Sequence, residues 1–526
     1  MPYTMARRGL LEYAPRIVYE ATCLLFIGIS VLLASAIIFV LQLRLRHGRP
    51  HHQRTATANK HIRPLSPPAI VDIEDLDMPK PTAALRSKQS QFYNPFVPGD
   101  GAPLYPDGIR IVHLEITSKC NAACPQCSRN VNGGRDNPAL PLVDLSLADV
   151  QRILDPASRS LSGLRKIFLC GNYGDPSAAK DCLAIVRWLR SAFPRAVVGV
   201  HSNGGAKAEG FWSELGELLQ APHGYCRFAI DGLEDTNHLY RQRVEWSHLM
   251  RNVRSFAAAG GALEWDFIAF RHNEHQVEAV RALALSLGVT RFSVKRTRRF
   301  VDKRSAEMTH RTPVEDRHGR VVRYLEPPSN PGLRNEADVV ELRATLQQHG
   351  TYAAYLDRAC VDCKAKTNAE VYISADALVF PCCFLGGELH RADGAPSQFL
   401  DLLASNGVGV SELQVGGRGG SDGGSRTLDE VLAGGVFTRL VSASWARQSI
   451  GEGKLRTCAD VCGTGHKAFD RQFDQVERLQ QVEAGRSSTM MASAPATRKV
   501  AVAAVRGVEQ WLPWQRRRRV RAQGPT

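Results

Sequence analysis

The sequence predicts an α/β protein in which short buried strands alternate with amphipathic helices along a parallel sheet. Apolar, β-branched runs recur at a period of about 30 residues between positions 109 and 296, and stretches with helical spacing lie between them. That alternation is typical of βα units, which assemble into parallel sheets. A long uncharged run near the amino terminus adds a predicted membrane helix outside this sheet.

The uncharged run ATCLLFIGISVLLASAIIFVLQL covers residues 21–43. At about 1.5 Å per residue a helix of this length spans the bilayer core, and the run exceeds the roughly 7–15 residues of a signal-peptide core. Six Lys or Arg follow it closely and three precede it. We therefore expect an N-terminal segment (1–20), a single-pass helix and a Pro-rich linker (44–108), with the rest of the chain in the cytoplasm. A buried core helix is the alternative.

The net charge of +15 lies mostly at the two ends of the chain. Residues 1–65 carry nine basic and two acidic residues, and residues 497–526 carry eight and one. The middle is close to neutral, which argues against nucleic acid as a partner. The basic tail, 471–526, contains QWLPWQRRRRVR, which fits contact with anionic lipid or a solvated tail.

Nine of the thirteen cysteines fall in three groups, which favours metal binding over a disulfide framework. The first group, Cys120, Cys124 and Cys127, follows the predicted strand IRIVHLEIT (109–117). It therefore lies at the carboxyl end of a strand, where α/β barrels place their chemistry. Three thiolates leave one iron of a [4Fe–4S] cluster without a protein ligand, open to a small molecule. A zinc knuckle is the alternative.

Five more strands are predicted, and polar turns follow the first three of them. The strands are KIFLCGNY before Gly174-Asp175-Pro176, AVVGVHS before Asn203-Gly204, CRFAI before Asp231-Gly232, then EWDFIAF and RFSVKR. Helices are predicted over 176–192, 211–219, 247–259 and 274–287. The carboxyl ends of parallel strands share one edge, so these turns face one mouth. His272, Asn273 and His275 fit either a pocket wall or a helix cap between solvated histidines.

Together, the C-x3-C-x2-C triplet and the ordered turns resemble the radical S-adenosylmethionine (SAM) superfamily. The resemblance implies a partial (β/α)6 TIM-like barrel over 109–328, with a [4Fe–4S] cluster held by Cys120, Cys124 and Cys127. It also implies that SAM is cleaved reductively to a 5′-deoxyadenosyl radical, which abstracts hydrogen from a substrate. By motif, the residues that orient SAM are Gly174, Asp175, Pro176, Asn203, Asp231 and Arg241. Gln126 and Asp175 depart from the family pattern, which has an aromatic residue and a glutamate there.

The remaining cysteine groups lie in the region 329–470. RACVDCKAKTNAEVYISADALVFPCC (358–383) predicts a hairpin that turns at Ala375-Asp376, and two cysteines follow in LRTCADVCG. This pattern resembles the SPASM/twitch extension, a small Fe–S domain, with Ala377 in place of the usual glycine. Cys382 and Cys383 are adjacent and point oppositely from a strand, so only one is expected to bind metal.

Four thiols are enough to close one auxiliary [4Fe–4S] cluster in this region. The predicted ligands are Cys363, Cys382, Cys458 and Cys462. Cys360 and Cys383 are the other choices, and a structural zinc site is the alternative. The glycine-rich segment 404–426 predicts a flexible insertion.

The sequence thus predicts a membrane-tethered radical SAM enzyme that faces the cytoplasm. The resemblance implies a peptide or small-molecule substrate and a reductase or ferredoxin as electron donor. No substrate-activating side chain is predicted, because the abstracting agent is the radical itself. A zinc-binding, non-catalytic interaction protein on a barrel scaffold is one alternative, and a barrel that binds SAM for a nonradical purpose is another.

Overall fold

The computed structural model describes residues 103–308, 311–416, 425–466 and 476–479. The described residues belong to one compact unit. The predicted membrane helix, the linker up to residue 102 and most of the basic tail lie outside these ranges, so those assignments stay predictions. Within the described ranges, no helix is both long enough and apolar enough to cross a bilayer.

Among the described residues, nine strands form one mixed sheet whose six central strands are parallel and follow chain order. These are β1 (Ile111–Leu114), β2 (Lys166–Leu169), β3 (Val197–Ser202), β4 (Gly224–Ala229), β5 (Leu263–Ile268) and β6 (Arg291–Lys295). Each overlaps a predicted strand. The α/β class and the mostly parallel sheet are confirmed, and the strand order is consistent with a partial (β/α)6 barrel.

Helices occupy the connections between the parallel strands. They are α1 (Leu147–Ile153), α2 (Cys182–Ala192), α3 (Glu209–Leu218), α4 (Asn237–Tyr240), α5 (Trp246–Ala258) and α6 (Val277–Ser286). Each long helix buries one apolar face: α5, for example, buries Leu249, Val253 and Phe256. The predicted helix 176–192 opens as a 3-10 turn over Pro176–Ala178 before α2 begins.

Aromatic rings form a continuous layer on one face of the sheet. The ring of His113 stacks on that of Phe168 at 4.5 Å, and Phe168 stacks on His201 at 5.5 Å. The layer continues to Tyr225, 5.7 Å from His201. Gly199 leaves the space for this last ring, because a Cβ there would lie 2.2 Å from a Tyr225 ring carbon. The layer fills the sheet face below the strand ends.

The predicted hairpin lengthens this same sheet. β11 (Glu370–Ile373) pairs parallel with β1, and β12 (Val379–Phe380) pairs antiparallel with β11. At the other edge, β13 (Val476–Arg478) pairs antiparallel with β6. The region 329–470 therefore contributes strands directly beside the first barrel strand. The predicted domain boundaries stay predictions.

The other strands form two small hairpins, and the other helices lie after them. The strands are β7 (Val301–Asp302) with β8 (Glu307–Met308), and β9 (Thr312–Glu315) with β10 (Val321–Leu325). The helices are α7 (Glu336–His349), α8 (Tyr352–Arg358), α9 (Lys364–Asn368), α10 (Cys383–Gly386), α11 (Gln398–Ser405), α12 (Leu428–Ala433), α13 (Val441–Trp445) and α14 (Arg456–Cys462). Short 3-10 turns cover Arg159–Leu161, Glu274–Gln276, Pro331–Leu333, Val410–Leu413 and Ile450–Glu452, and a π-helix covers Val436–Leu440.

The segment 404–426 is predicted to be a flexible insertion, but its first part packs against the rest of the protein. Leu413 and Val415 are buried, and the amide of Val415 donates to the carbonyl of Ala377 at 3.0 Å. These two apolar side chains pack on the hairpin despite the glycines that follow them. Residues 417–424 lie outside the described ranges.

Candidate active site

A cavity of about 680 Å³ opens at the carboxyl ends of the six parallel strands. Each strand contributes a residue from its last position or from the loop that follows it. In strand order these are Cys120, Cys170, Asn203, Ala229, Ile268 and Lys295. This arrangement matches the single mouth expected from the positions of the turns.

Cys120, Cys124 and Cys127 all line this cavity as free thiols. Two side-chain donors reach their sulfurs. Asn203 Nδ2 lies 3.6 Å from Cys120 Sγ, and Arg241 Nη1 lies 3.6 Å from Cys124 Sγ. Positive charge and hydrogen-bond donors favour the thiolate, which is the form that binds iron.

Burial favours the protonated thiols in the absence of metal. It raises the pKa of Cys124 to about 11 although the Arg241 guanidinium opposes the rise, and it also raises the pKa of Cys120. Iron bound by these sulfurs would reverse this balance, since a coordinating thiol loses its proton. Three thiols with donors to two of them, facing one cavity, fit a three-thiolate [4Fe–4S] site. In the described ranges, no group of three or more His, Cys, Asp or Glu side chains is arranged to hold a single metal ion.

The loop after β2 packs closely against the cysteine loop. A Cβ at Gly174 would lie 1.7 Å from the carbonyl oxygen of Thr117, so only glycine fits. The buried carboxylate of Glu115 accepts hydrogen bonds from the amides of Tyr173 (2.8 Å) and Gly174 (2.9 Å). The hydroxyl of Tyr372 donates to its other oxygen. Glu115 therefore joins the β2 loop to β1 and to the hairpin.

Asp175 connects the loops after β2 and β3. Its carboxylate accepts hydrogen bonds of 2.6–3.0 Å from the amide and hydroxyl of Ser177, the hydroxyl of Ser202, and the amide and side chain of Asn203. Gly174, Asp175 and Asn203 line the cavity, whereas the buried Pro176 does not. The Asp175 carboxylate already accepts hydrogen bonds from protein donors, so the backbone of this loop is the part that can bind a ligand.

Arg241 lies between a buried carboxylate and a cysteine. Its Nε is 2.6 Å from Asp231 Oδ2, and its Nη1 reaches Cys124. Asp231 is fully buried and does not line the cavity. The motif predicts that Asp231 contacts a cofactor. In the structure its buried carboxylate holds Arg241 instead. The amide of Ile268 donates to the other carboxylate oxygen of Asp231 at 2.6 Å.

Contacts separate the alternatives for His272, Asn273 and His275. Asn273 Nδ2 donates to the carbonyl of Asp231 at 2.8 Å, and its Oδ1 accepts from the amide of Phe270 at 2.7 Å. Its side chain makes no helix-capping hydrogen bond. His275 is exposed, and burial lowers the pKa of His272 to about 4. None of the three lines the cavity, and Asn273 braces the loop of Asp231.

Sequence reasoning missed Glu115, Cys170 and Lys295. Glu115 and Lys295 are charged residues near the carboxyl ends of predicted strands, and charged side chains are rarely buried unless paired. That was a usable signal: Lys295 Nζ lies 2.5 Å from Asp266 Oδ2 and lines the cavity. Cys170 also lines the cavity, where burial raises its pKa to about 12. No sequence pattern marks it.

The carboxyl-terminal half of the chain forms one wall of the same cavity. Its contributions include Cys383, Phe384, Glu388, Arg391, Thr457 and Asp460. This wall brings acidic and basic side chains to a space that is otherwise lined by the strand ends.

A smaller cavity of about 150 Å³ lies behind this wall. It is lined by all four predicted auxiliary ligands, Cys363, Cys382, Cys458 and Cys462, and also by Cys383. The two cavities share Cys383, Phe384, Thr457 and Val461. A hydrogen bond from Cys363 lowers the pKa of Cys462 to about 7.

Cys382 and Cys383 are arranged differently from the expectation that they point in opposite directions from a strand. β12 ends at Phe380 and α10 begins at Cys383, so the strand alternation used to separate Cys382 from Cys383 does not apply, and both face the small cavity. Cys360 is exposed and lies outside this cavity. The geometry therefore favours Cys363 over Cys360.

Several solved structures resemble this chain weakly. The crystal structure of Streptococcus suis SuiB bound to S-adenosylmethionine matches with 13% identity and a TM-score of 0.35, over 53% of this chain and 61% of that chain. Native anSMEcpe with bound AdoMet matches with 13% identity and a TM-score of 0.34, over 52% and 74%. BtrN in complex with AdoMet and 2-DOIA matches with 13% identity and a TM-score of 0.30, over 70% and 98%.

All three were solved with S-adenosylmethionine (AdoMet) bound. No protein-family model and no curated protein matches the chain. The chain spans about three fifths of the length of SuiB. At these identities and TM-scores, no residue role or substrate transfers from those proteins to this one.

Proposed function

We propose that this protein is a radical SAM enzyme. One observation carries the proposal: the thiols of the C-x3-C-x2-C loop line the same cavity as the carboxyl ends of all six parallel strands. A cluster with three protein ligands needs an open iron that faces free space. A closed structural zinc site needs four ligands, and this loop supplies only three cysteines.

Cys120, Cys124 and Cys127 would hold the [4Fe–4S] cluster, which when bound supplies the electron that cleaves SAM. The chain itself binds and orients SAM. The backbone from 171 to 174, held by Glu115, offers polar groups to the amino end of SAM. Arg241 is held by Asp231 and offers its guanidinium to the SAM carboxylate.

The second cysteine set would hold an auxiliary cluster in a SPASM/twitch-like region. The support is that Cys363, Cys382, Cys458 and Cys462 face one small cavity. Because that cavity shares a wall with the active site, a cluster there would lie beside the substrate. It would bind the substrate or relay an electron from a reductase or ferredoxin.

A peptide or small precursor is the proposed substrate. The wall from the carboxyl-terminal half carries Glu388, Arg391 and Asp460, which suit a polar substrate with charges of both signs. SuiB has been solved bound to precursor peptide SuiA, and anSMEcpe with Cp18Cys peptide. We also propose a single-pass membrane location with this site in the cytoplasm, on the strength of residues 21–43 and their basic flank.

Metal analysis of anaerobically purified protein tests this proposal. The full-length chain should be brown, with iron and sulfide in equal amounts and little zinc. Cys124→Ala should lose about four irons, the content of one cluster. Cys182→Ala is the matched control, because Cys182 is buried in α2 and lines neither cysteine cavity. A colourless zinc protein would support the non-catalytic alternative instead.

A further inference from the structure

A third cavity, of about 710 Å³, lies at the opposite edge of the sheet from the active site. Its wall includes Arg110 and Ala369, which directly precede the parallel strands β1 and β11. The amino ends of these strands therefore face this cavity, while the active site lies at the carboxyl ends. None of its lining residues lines the active site. Its volume is typical of small-molecule sites, which are about 300–1,000 Å³.

The wall of this cavity is basic. Five basic side chains line it against Asp107 and Asp362, which gives a net charge of +3. The basic residues are Arg110, Arg358, Lys366, Arg447 and Lys454. Arg110, Arg358 and Arg447 make no ion pair with any residue in the described part of the chain. The cavity therefore presents positive charge that its own wall leaves uncompensated.

Lys454 is the buried member of this set, at 5% exposure. Its Nζ donates to the carbonyl oxygens of Asp357 and, at 3.3 Å, Ala359. No carboxylate of the described residues lies within ion-pair distance of it. The Asp357 side chain favours the charged ammonium only from beyond ion-pair distance, and burial still lowers the pKa of Lys454. An ammonium has three donors, and burying one without a close counter-charge is unfavourable. An anion in the cavity would supply both the counter-charge and a third acceptor.

Apolar side chains also contribute to the wall. Val361 and Trp445 contribute side chains, and the Tyr105 hydroxyl is occupied by the carbonyl of Glu370 at 2.6 Å. A ligand that fills this space therefore needs an apolar body as well as a negative charge.

We propose that this cavity binds a small organic anion, with its charged group held by Lys454 and the surrounding arginines and its body against Val361 and Trp445. The site does not depend on the radical chemistry proposed above. Val361, Cys363 and Trp445 also line the small cysteine cavity, so an occupant would lie next to the proposed auxiliary site.

Calorimetric titration of the full-length chain with 1-anilinonaphthalene-8-sulfonate tests this proposal, because the probe joins an apolar body to an anion. Lys454→Met and Arg358→Glu should each weaken binding at least 10-fold. Arg254→Glu, an exposed arginine on α5, is the matched control and should leave binding unchanged. Octanoate should displace the probe, and octylamine, with the same chain and the opposite charge, should not.

Ala446→Trp gives a test that changes no charge, since Ala446 lines the cavity and a larger side chain would fill it. It should abolish binding while thermal unfolding stays near that of the parent, and it decides the outcome if Lys454→Met does not fold. Equal binding by all variants, or equal displacement by octylamine, would overturn the proposal. So would binding to vesicles of anionic lipid without binding to octanoate, which would assign a membrane surface instead.

Discussion

At the scale of single residues, close backbone contacts set the shape of the active site. Gly174 touches the carbonyl of Thr117, and Gly199 makes space for the ring of Tyr225. Side chains then complete the site: Glu115 holds the β2 loop, Asp175 connects two loops, and the Asp231–Arg241 pair reaches Cys124. Most of these side chains act by holding in position the residues that line the active-site cavity.

Gly174→Ala should reduce SAM affinity at least 10-fold, because its Cβ would lie 1.7 Å from a backbone oxygen and displace the loop. Equilibrium dialysis with labelled SAM measures this. Gly210→Ala is the control, since a Cβ there meets nothing within 4 Å, and its affinity should not change. Unchanged affinity in Gly174→Ala would remove the β2 loop from the SAM site.

His113 should make the protein less stable in mild acid. Burial lowers its pKa to about 4, so the unfolded chain takes up this proton at higher pH than the folded one. The stability that depends on neutral His113 is present above pH 6.5 and falls as the pH drops towards 4. Between pH 7.5 and pH 5 the loss is roughly 2 kcal/mol.

Urea unfolding of the parent and of His113→Phe at these two pH values checks this. The variant keeps an aromatic ring in the layer with Phe168 but carries no titrating group there. The stability of His113→Phe should change less between the two pH values than that of the parent, and the difference should be about 2 kcal/mol. Identical pH dependence would show that His113 is not held neutral.

At the scale of secondary structure, the hairpin β11–β12 connects the two halves of the chain. β11 extends the sheet beside β1, and Tyr372 on β11 donates to Glu115 at the end of β1. The turn of this hairpin places Ala377 at a φ of 62°, a left-handed conformation that favours glycine.

Ala377→Gly should therefore stabilise the protein by about 0.5–1 kcal/mol, the relief of left-handed strain less the extra freedom of glycine in the unfolded chain. Denaturant unfolding measures the change. Ala375→Gly is a matched control without positive φ and should destabilise the protein. A less stable Ala377→Gly variant would contradict the turn geometry.

The sequence predicted the elements of the sheet well and the environment of individual side chains less well. Strands such as KIFL and RFSVK are short segments whose buried positions are mostly apolar, and the alternation of strand and helix along the chain identifies them. The parallel pairing of β11 with β1 joins residues more than 250 positions apart, which no local pattern encodes. Likewise, the motif around Asp231 predicts a contact with SAM, whereas in the structure its buried carboxylate bonds to Arg241 and to the amide of Ile268, a residue of another strand.

At the scale of the whole molecule, the two cysteine cavities are neighbours. Cys383 and Phe384 line both, so the two proposed clusters would be separated by one layer of side chains. Cys363 lines the smaller cavity and also the basic cavity beyond it. From the amino end of β1 to its carboxyl end, the order is therefore the basic cavity, the small cysteine cavity and the active-site cavity.

Iron content should distinguish the auxiliary ligands. Two [4Fe–4S] clusters give about eight irons per chain, and Cys363→Ala should lose about four. Cys360→Ala should lose none, because Cys360 is exposed and lies outside the small cavity. Iron and sulfide assays on matched anaerobic preparations check this. Loss from Cys360→Ala with retention in Cys363→Ala would reverse the ligand assignment.

Reductive cleavage of SAM tests the central claim most directly. With dithionite and SAM, the iron-loaded full-length protein should release 5′-deoxyadenosine, detected by liquid chromatography and mass spectrometry. Cys124→Ala should reduce this product at least 100-fold, and Cys182→Ala should retain it. Absence of 5′-deoxyadenosine from the iron-loaded parent, or equal amounts from Cys124→Ala, would contradict the assignment of a three-cysteine cluster that activates SAM.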